Sequence, residues 1–138
     1  MAFVFYNPNP SKELVGDCVI RAISILTSKN WESTYVDIVE KGALMYDMPS
    51  SNVVWDSYLC SKGYLREVIP NTCPDCYTVK DFCLDHPRGK YLLATGTHVI
   101  AVIDGNYYDT WDSGKKIPIY YYYKKEDDVE NGDLSSNV

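Results

Sequence analysis

The sequence of 138 residues contains no glutamine and only two histidines, His86 and His98. It has no apolar run of the roughly 18 residues that a membrane-spanning helix needs. The first residues also lack the basic start and long apolar stretch of a signal peptide. We therefore expect no membrane partner and a cytoplasmic location.

The net charge of −6 makes nucleic acid an unsuitable partner, because a protein that binds phosphate backbones needs a basic patch. Five of the acidic residues lie in residues 124–138, a segment without aromatic side chains. Such a segment cannot bury an apolar face, so we expect a flexible, solvated tail there. Residues 1–123 then have the length of a single domain.

The first half of the chain has helical periodicity. Residues 18–26 are apolar on almost every side, which is typical of a buried helix, and Asp17 is a candidate N-cap. Asn30 is the candidate cap of a second helix, and a third is predicted from about Ser51 to Lys62. Thr78 and Asp81 have the spacing of a capping box for a short fourth helix.

The second half is rich in β-branched and aromatic residues. Strands are predicted at residues 90–95, 98–103 and 117–123, with an earlier one at 64–69. Asp104-Gly105 is typical of a two-residue hairpin turn. Helices followed by antiparallel strands predict an α+β domain whose buried central helix packs against one antiparallel sheet.

Cys18 is the candidate nucleophile, because it is predicted to lie at the N-terminus of the buried helix. The partial positive charge there lowers the pKa of a thiol and favours the reactive thiolate. Asp17 acts in the opposite direction, since a neighbouring negative charge raises the pKa of a thiol. The alternative is that Cys18 is a small core residue.

His98 opens a very apolar strand and is the candidate general base. If Asp104 and Gly105 form a two-residue turn, His98 lies opposite Trp111, and Asp109 is its diagonal neighbour on the same face. Asp109 could then orient the imidazole. A turn that differs by one residue would select Asp112 instead, and the periodicity leaves both carboxylates open.

Two of the other cysteines, Cys73 and Cys76, have the spacing of a zinc knuckle, which Cys60, Cys83 or His86 could complete. A structural zinc site usually contains two such pairs, and only one is present. We therefore expect no metal here. The prediction is a tight turn with reduced thiols that can form a disulfide on oxidation.

The segments GDCVIRAI, GTHVIAVI and YYDTWDSG follow one another in an order that resembles papain-like cysteine peptidases. Compact bacterial and phage members, such as the bacteriocin-leader peptidases, are similar. The resemblance implies a papain-like fold without a cofactor, in which Cys18 attacks a carbonyl, His98 transfers the proton and Asp109 orients the imidazole. A small residue and a tryptophan follow Asp109, as is frequent in that family, which favours Asp109 over Asp112.

The family's usual oxyanion donor, a glutamine several residues before the cysteine, has no counterpart in this chain. Asn9 is the candidate replacement, with Asn7 also nearby and the backbone N–H of Cys18 as the second donor. The expected function is hydrolysis of a peptide or isopeptide amide in a peptide or protein substrate. The alternative is a binding module on the same scaffold, for example a phage-encoded inhibitor or interaction protein.

Overall fold

This computed structural model describes residues 2–124 of the chain. That part contains four helices and six strands. The helices are α1 (Cys18–Thr27), α2 (Trp31–Met45), α3 (Asn52–Ser61) and α4 (Val79–Asp85). The strands are β1 (Ala2–Phe5), β2 (Tyr64–Val68), β3 (Lys90–Ala94), β4 (Val99–Ile103), β5 (Asn106–Asp109) and β6 (Tyr120–Lys124). The predicted α+β class is confirmed.

The predicted acidic tail was placed at residues 124–138, but Lys124 is the last residue of β6. The remainder of that segment lies outside the described residues. No helix between residues 2 and 124 combines the length and the apolar character that crossing a bilayer requires.

The six strands form one mixed sheet in the order β1-β5-β4-β3-β6-β2. The prediction of a purely antiparallel sheet is wrong at one edge, where β1 pairs in parallel with β5 and Phe5 lies opposite Asp109. The alternation of side chains identifies a strand but not its partner. About a hundred residues separate these two strands, so the connection is long enough for a parallel pairing.

Helix α1 packs against β4 on one side and α2 on another. Its side chains Ile20, Ile23 and Leu26 belong to the main core, as the apolar run predicts. Arg21 and Ser24 interrupt that run in the sequence, yet both are buried. A charged residue at a buried position requires partners, and those of Arg21 belong to the site described below.

The helix starts largely agree with the capping signals. The Asn30 side chain accepts a hydrogen bond from the backbone N–H of Ser33 at 2.7 Å, and Thr78 and Asp81 form the predicted capping box. Asp17 occupies the N-cap position of α1, but its side chain makes no capping hydrogen bond. The carboxylate of Asp17 is turned to other partners.

The hairpin between β4 and β5 has the predicted two-residue turn. Asp104 and Gly105 have φ angles of 49° and 78°, and Ile103 pairs with Asn106. Both turn residues therefore adopt the left-handed conformation that such turns require. This register determines which side chains of β5 face the start of β4.

We predict that Gly105→Ala destabilises the domain by about 1–2 kcal/mol, the cost of a left-handed conformation for a residue with a Cβ atom. That Cβ atom would also lie 3.3 Å from the carbonyl oxygen of Cys83. Urea unfolding measures the change. Gly16→Ala is the matched control, since no atom beyond the neighbouring residues lies within 4 Å of the added carbon. An equal loss of stability in both variants would contradict the left-handed turn conformation as the cause.

Candidate active site

Cys18 is the first residue of α1 and is half-buried. Backbone N–H groups in the first turn of a helix have no intrahelical acceptor, so the N–H of Cys18 is available to a ligand. Hydrogen bonding from the backbone N–H of Val99, at the start of β4, is one of the causes that lower the pKa of this thiol.

His98 lies immediately before β4 and connects Cys18 to Asp109. Its Nε2 is 2.6 Å from Oδ2 of Asp109, and its ring lines the same cleft as the thiol of Cys18, whose pKa it lowers through hydrogen bonding and through its charge. Because Asp109 occupies Nε2, Nδ1 is the nitrogen left for the thiol. The three side chains thus form a continuous chain of contacts from sulfur to imidazole to carboxylate.

Asp109 is the last residue of β5, and only 3% of it is exposed. Its Oδ1 accepts hydrogen bonds from the backbone N–H of Thr110 at 2.8 Å and from Nη2 of Arg21 at 3.4 Å. The hydroxyl of Ser113 donates to Oδ2 at 2.7 Å. These bonds fix the carboxylate, and with it the His98 ring.

Asp112, the alternative third member, lies elsewhere. Its Oδ1 accepts hydrogen bonds from the hydroxyl of Tyr107 at 2.5 Å and from the backbone N–H of Gly114 at 3.0 Å. The hairpin register brings Asp109 to His98 and directs Asp112 to the loop that follows β5.

The pKa values of the thiol and the imidazole shift in opposite directions. Burial acts to raise the pKa of Cys18, but the hydrogen bonds from His98 and Val99 and the positive charges of His98 and Arg21 hold it below its ordinary value. Burial acts to lower the pKa of His98, yet Asp109 and Cys18 raise it to about 9. Opposite shifts of this kind favour a thiolate–imidazolium pair.

Arg21, one turn after Cys18, is a site residue that the sequence reasoning missed. Its guanidinium pairs with Asp17 as well as with Asp109. The negative charge of Asp17 is thus paired with Arg21, and the positive charge of Arg21 acts to lower the pKa of Cys18. The available signal was a single charged residue within an otherwise apolar helix.

Asp17 also accepts hydrogen bonds from Nε1 of Trp31 at 2.9 Å and from Nδ2 of Asn9 at 3.3 Å. The other end of the Asn9 amide accepts from the hydroxyl of Ser11 at 2.8 Å. Asn9, the candidate oxyanion donor, is thus engaged in the loop before α1 and does not line the cleft at Cys18.

The amide of Asn7, also considered for that role, donates to the carbonyl oxygen of Glu13 at 3.3 Å. Asn7 is buried and likewise does not line the cleft. Neither of the two amides expected from the sequence therefore faces the thiol.

A cleft of about 210 Å³ opens beside the thiol and the imidazole. The residues around it include Gly16, Cys18, Ser50, Asn52, Trp55, Thr97, His98 and Tyr120. Trp111 lies next to the imidazole, with ring centroids 5.0 Å apart, and is partly exposed. The thiol and the imidazole therefore both face the cleft, while Asp109 is buried.

Cys73 and Cys76 lie in an exposed loop with their sulfur atoms 3.5 Å apart. Across residues 2–124, no three His, Cys, Asp or Glu side chains are grouped so that they could hold a metal ion. Cys60 and Cys83 thus do not join this pair in a metal-binding cluster.

We predict that Cys18 reacts with iodoacetamide faster than a free cysteine at neutral pH, because its lowered pKa increases the thiolate fraction. His98→Ala should raise that pKa and move the pH profile of alkylation to higher pH. Peptide mass spectrometry distinguishes Cys18 from the other cysteines. Cys60 is an internal reference, since burial and Asp56 raise its pKa; equal profiles for the two thiols would contradict the pairing.

We also predict that Asp109→Asn lowers the free energy of unfolding by about 3 kcal/mol, since it leaves the buried Arg21 without one partner.

The pH dependence of the free energy of unfolding should change in Asp109→Asn as well. The raised pKa of His98 stabilises the folded state fully below pH 6.5, the ordinary pKa of histidine. This stabilisation is lost as the pH rises through about 9, the pKa of His98 in the folded protein. Each pKa unit is worth about 1.4 kcal/mol.

Proteins with and without Asp109→Asn are best compared in a Cys18→Ser background. This background removes the titration of the thiol, whose pKa shifts in the direction opposite to that of His98. With Asp109 present, urea unfolding should show a loss of stability as the pH rises above about 6, smaller than in the natural chain because Cys18 no longer contributes to the raised pKa of His98. With Asp109→Asn the loss should be much smaller. The same pH dependence in both variants would show that Asp109 does not set the pKa of His98.

The arrangement combines an accessible thiol, an imidazole that can hold or release a proton, and a buried carboxylate that fixes the imidazole. Such a set of groups can carry out nucleophilic attack with proton transfer. Neither a family model, nor a curated protein, nor a solved structure matches this chain. The roles of Cys18, His98 and Asp109 therefore rest on their geometry and chemistry.

Proposed function

We propose that the protein is a papain-like thiol hydrolase that cleaves a peptide or isopeptide amide through an acyl-enzyme on Cys18. One observation carries the proposal: His98 lies with Cys18 at an open cleft, the two shift each other's pKa values in opposite directions, and Nε2 of His98 is 2.6 Å from Oδ2 of Asp109. An ion pair that serves stability alone does not need a thiol beside a cleft at one end. The order of helices and strands supports the assignment to a papain-like scaffold.

In the first half of the reaction, the Cys18 thiolate attacks the carbonyl carbon of the amide and forms a C–S bond. The carbonyl π electrons move to oxygen and give a tetrahedral oxyanion. The His98 imidazolium then donates its Nδ1 proton to the amide nitrogen, and the C–N bond breaks. The amine leaves, and the acyl group remains on Cys18 as a thioester.

In the second half, His98 is neutral and takes a proton from water as the oxygen of that water attacks the thioester carbonyl. The tetrahedral intermediate collapses, the C–S bond breaks, and the carboxylic acid leaves. Cys18 returns to the thiolate and His98 to the imidazolium. Throughout, the hydrogen bond from Nε2 to Asp109 keeps Nδ1 directed at the reacting atoms.

The alternative remains a binding module that retains the scaffold without turnover. The absence of glutamine ahead of Cys18 favours it, since loss of one oxyanion donor can reduce a rate by about 10²–10³. In that case partner binding should survive Cys18→Ala and fail when exposed surface residues are changed.

The test incubates the protein with a diverse peptide mixture and identifies the cleaved bonds by mass spectrometry. We expect cleavage by the natural chain, none by Cys18→Ala, and a loss of about 10³ or more in His98→Ala. Cys60→Ala is the matched control, since this exposed cysteine lies on α3 and does not line the cleft. The proposal fails if no bond is cleaved, or if Cys18→Ala cleaves as fast as the natural chain.

A further inference from the structure

The proposed hydrolysis, on which this inference rests, needs hydrogen-bond donors for the oxyanion. The N–H of Cys18 is one of them, because it lies at the start of α1 without an intrahelical acceptor. One donor from the backbone alone is a weak oxyanion hole. Asn9 and Asn7 are engaged elsewhere, so a second donor must come from another part of the cleft.

We propose that Asn52, the first residue of α3, supplies this second donor through its side-chain Nδ2 group. Asn52 is exposed, and it lines the same cleft as Cys18 and His98. It lies 34 positions after Cys18 in the chain, so the donor comes from a separate helix rather than from the segment before the nucleophile.

The orientation of the Asn52 amide is set by a buried tryptophan. Nε1 of Trp55, one helical turn later, donates a hydrogen bond to Oδ1 of Asn52 at 3.1 Å. An indole N–H is only a donor, so the oxygen of the amide must face it. The NH₂ group is therefore on the side of the amide away from the indole, and within residues 2–124 it has no protein acceptor.

Trp55 is held firmly, so its hydrogen bond to Asn52 fixes the orientation of the Asn52 side-chain amide. Its side chain is 1% exposed, and its ring packs edge-to-face against Tyr122 with centroids 5.7 Å apart. The indole itself lines the cleft. A donor fixed before the reaction stabilises a developing oxyanion without a reorganisation cost.

Ser50 and Thr97 also line the cleft, and both are exposed, as Asn52 is. No hydrogen bond within the described part of the chain fixes either hydroxyl. The orientation imposed by Trp55 therefore distinguishes Asn52 from Ser50 and Thr97.

The test compares two reactions of the same thiol. Iodoacetamide alkylates Cys18 by displacement of iodide, without an oxyanion. p-Nitrophenyl acetate acylates Cys18 through a tetrahedral oxyanion, after which p-nitrophenolate leaves. The ratio of the two rate constants cancels the thiolate fraction, so a change in that ratio reports oxyanion stabilisation alone. Release of p-nitrophenolate and mass spectrometry of the Cys18 peptide give the two rates.

We expect Asn52→Ala to lower the acylation rate by about 10²-fold, as for other oxyanion donors, while alkylation changes by less than about twofold. Asn52→Asp keeps the acceptor for Trp55 but removes the donor, so the helix start is preserved and the ratio should fall at least as far. Val53→Ala, in the same turn and outside the cleft, should leave the ratio unchanged.

The outcomes separate this inference from the proposed function. An unchanged ratio in Asn52→Ala and Asn52→Asp, with rapid acylation of the natural chain, overturns the role of Asn52 and leaves the hydrolase standing. If p-nitrophenyl acetate acylates Cys18 of the natural chain no faster than it acylates glutathione, the proposed function fails and the role of Asn52 fails with it.

Discussion

The carboxylate of Asp109 is buried between two cations, the guanidinium of Arg21 and the imidazole of His98. A buried carboxylate is costly unless it is paired and fully hydrogen-bonded, and the bonds from Thr110 and Ser113 complete its shell. Burial acts to raise the pKa of Asp109, but these partners, His98 foremost, hold it below its ordinary value. The same charge raises the pKa of His98 and so favours the thiolate on Cys18.

This carboxylate also joins parts of the chain that are far apart in sequence. Arg21 comes from α1, His98 from the start of β4, and Asp109 from the end of β5. The parallel strand β1 adds a fourth contact, since the backbone N–H of Tyr6 donates to the carbonyl oxygen of Asp109 at 3.0 Å. The fold and the candidate site therefore depend on the same group, and a change at Asp109 should affect both.

The cleft itself is built from other segments. The start of α3 and the loop before it contribute Ser50, Asn52 and Trp55, while Thr97 comes from the loop between β3 and β4. Their positions relative to Cys18 depend on how α3 packs against α2. In the proposed reaction, the ionic network sets the charge of the thiol, and the cleft residues receive the substrate and its oxyanion.

The sequence by itself determined the elements whose signals are local. An apolar run identified α1, capping residues identified the starts of α2 and α4, and Asp104-Gly105 identified the hairpin, although its signal left both Asp109 and Asp112 open as the partner of His98. Only the tertiary structure decided the parallel pairing of β1, the pairing of Arg21 with Asp17 and Asp109, and the presence of Asn52 in the cleft. These features join residues through space, and neither periodicity nor turn chemistry carries information about such contacts.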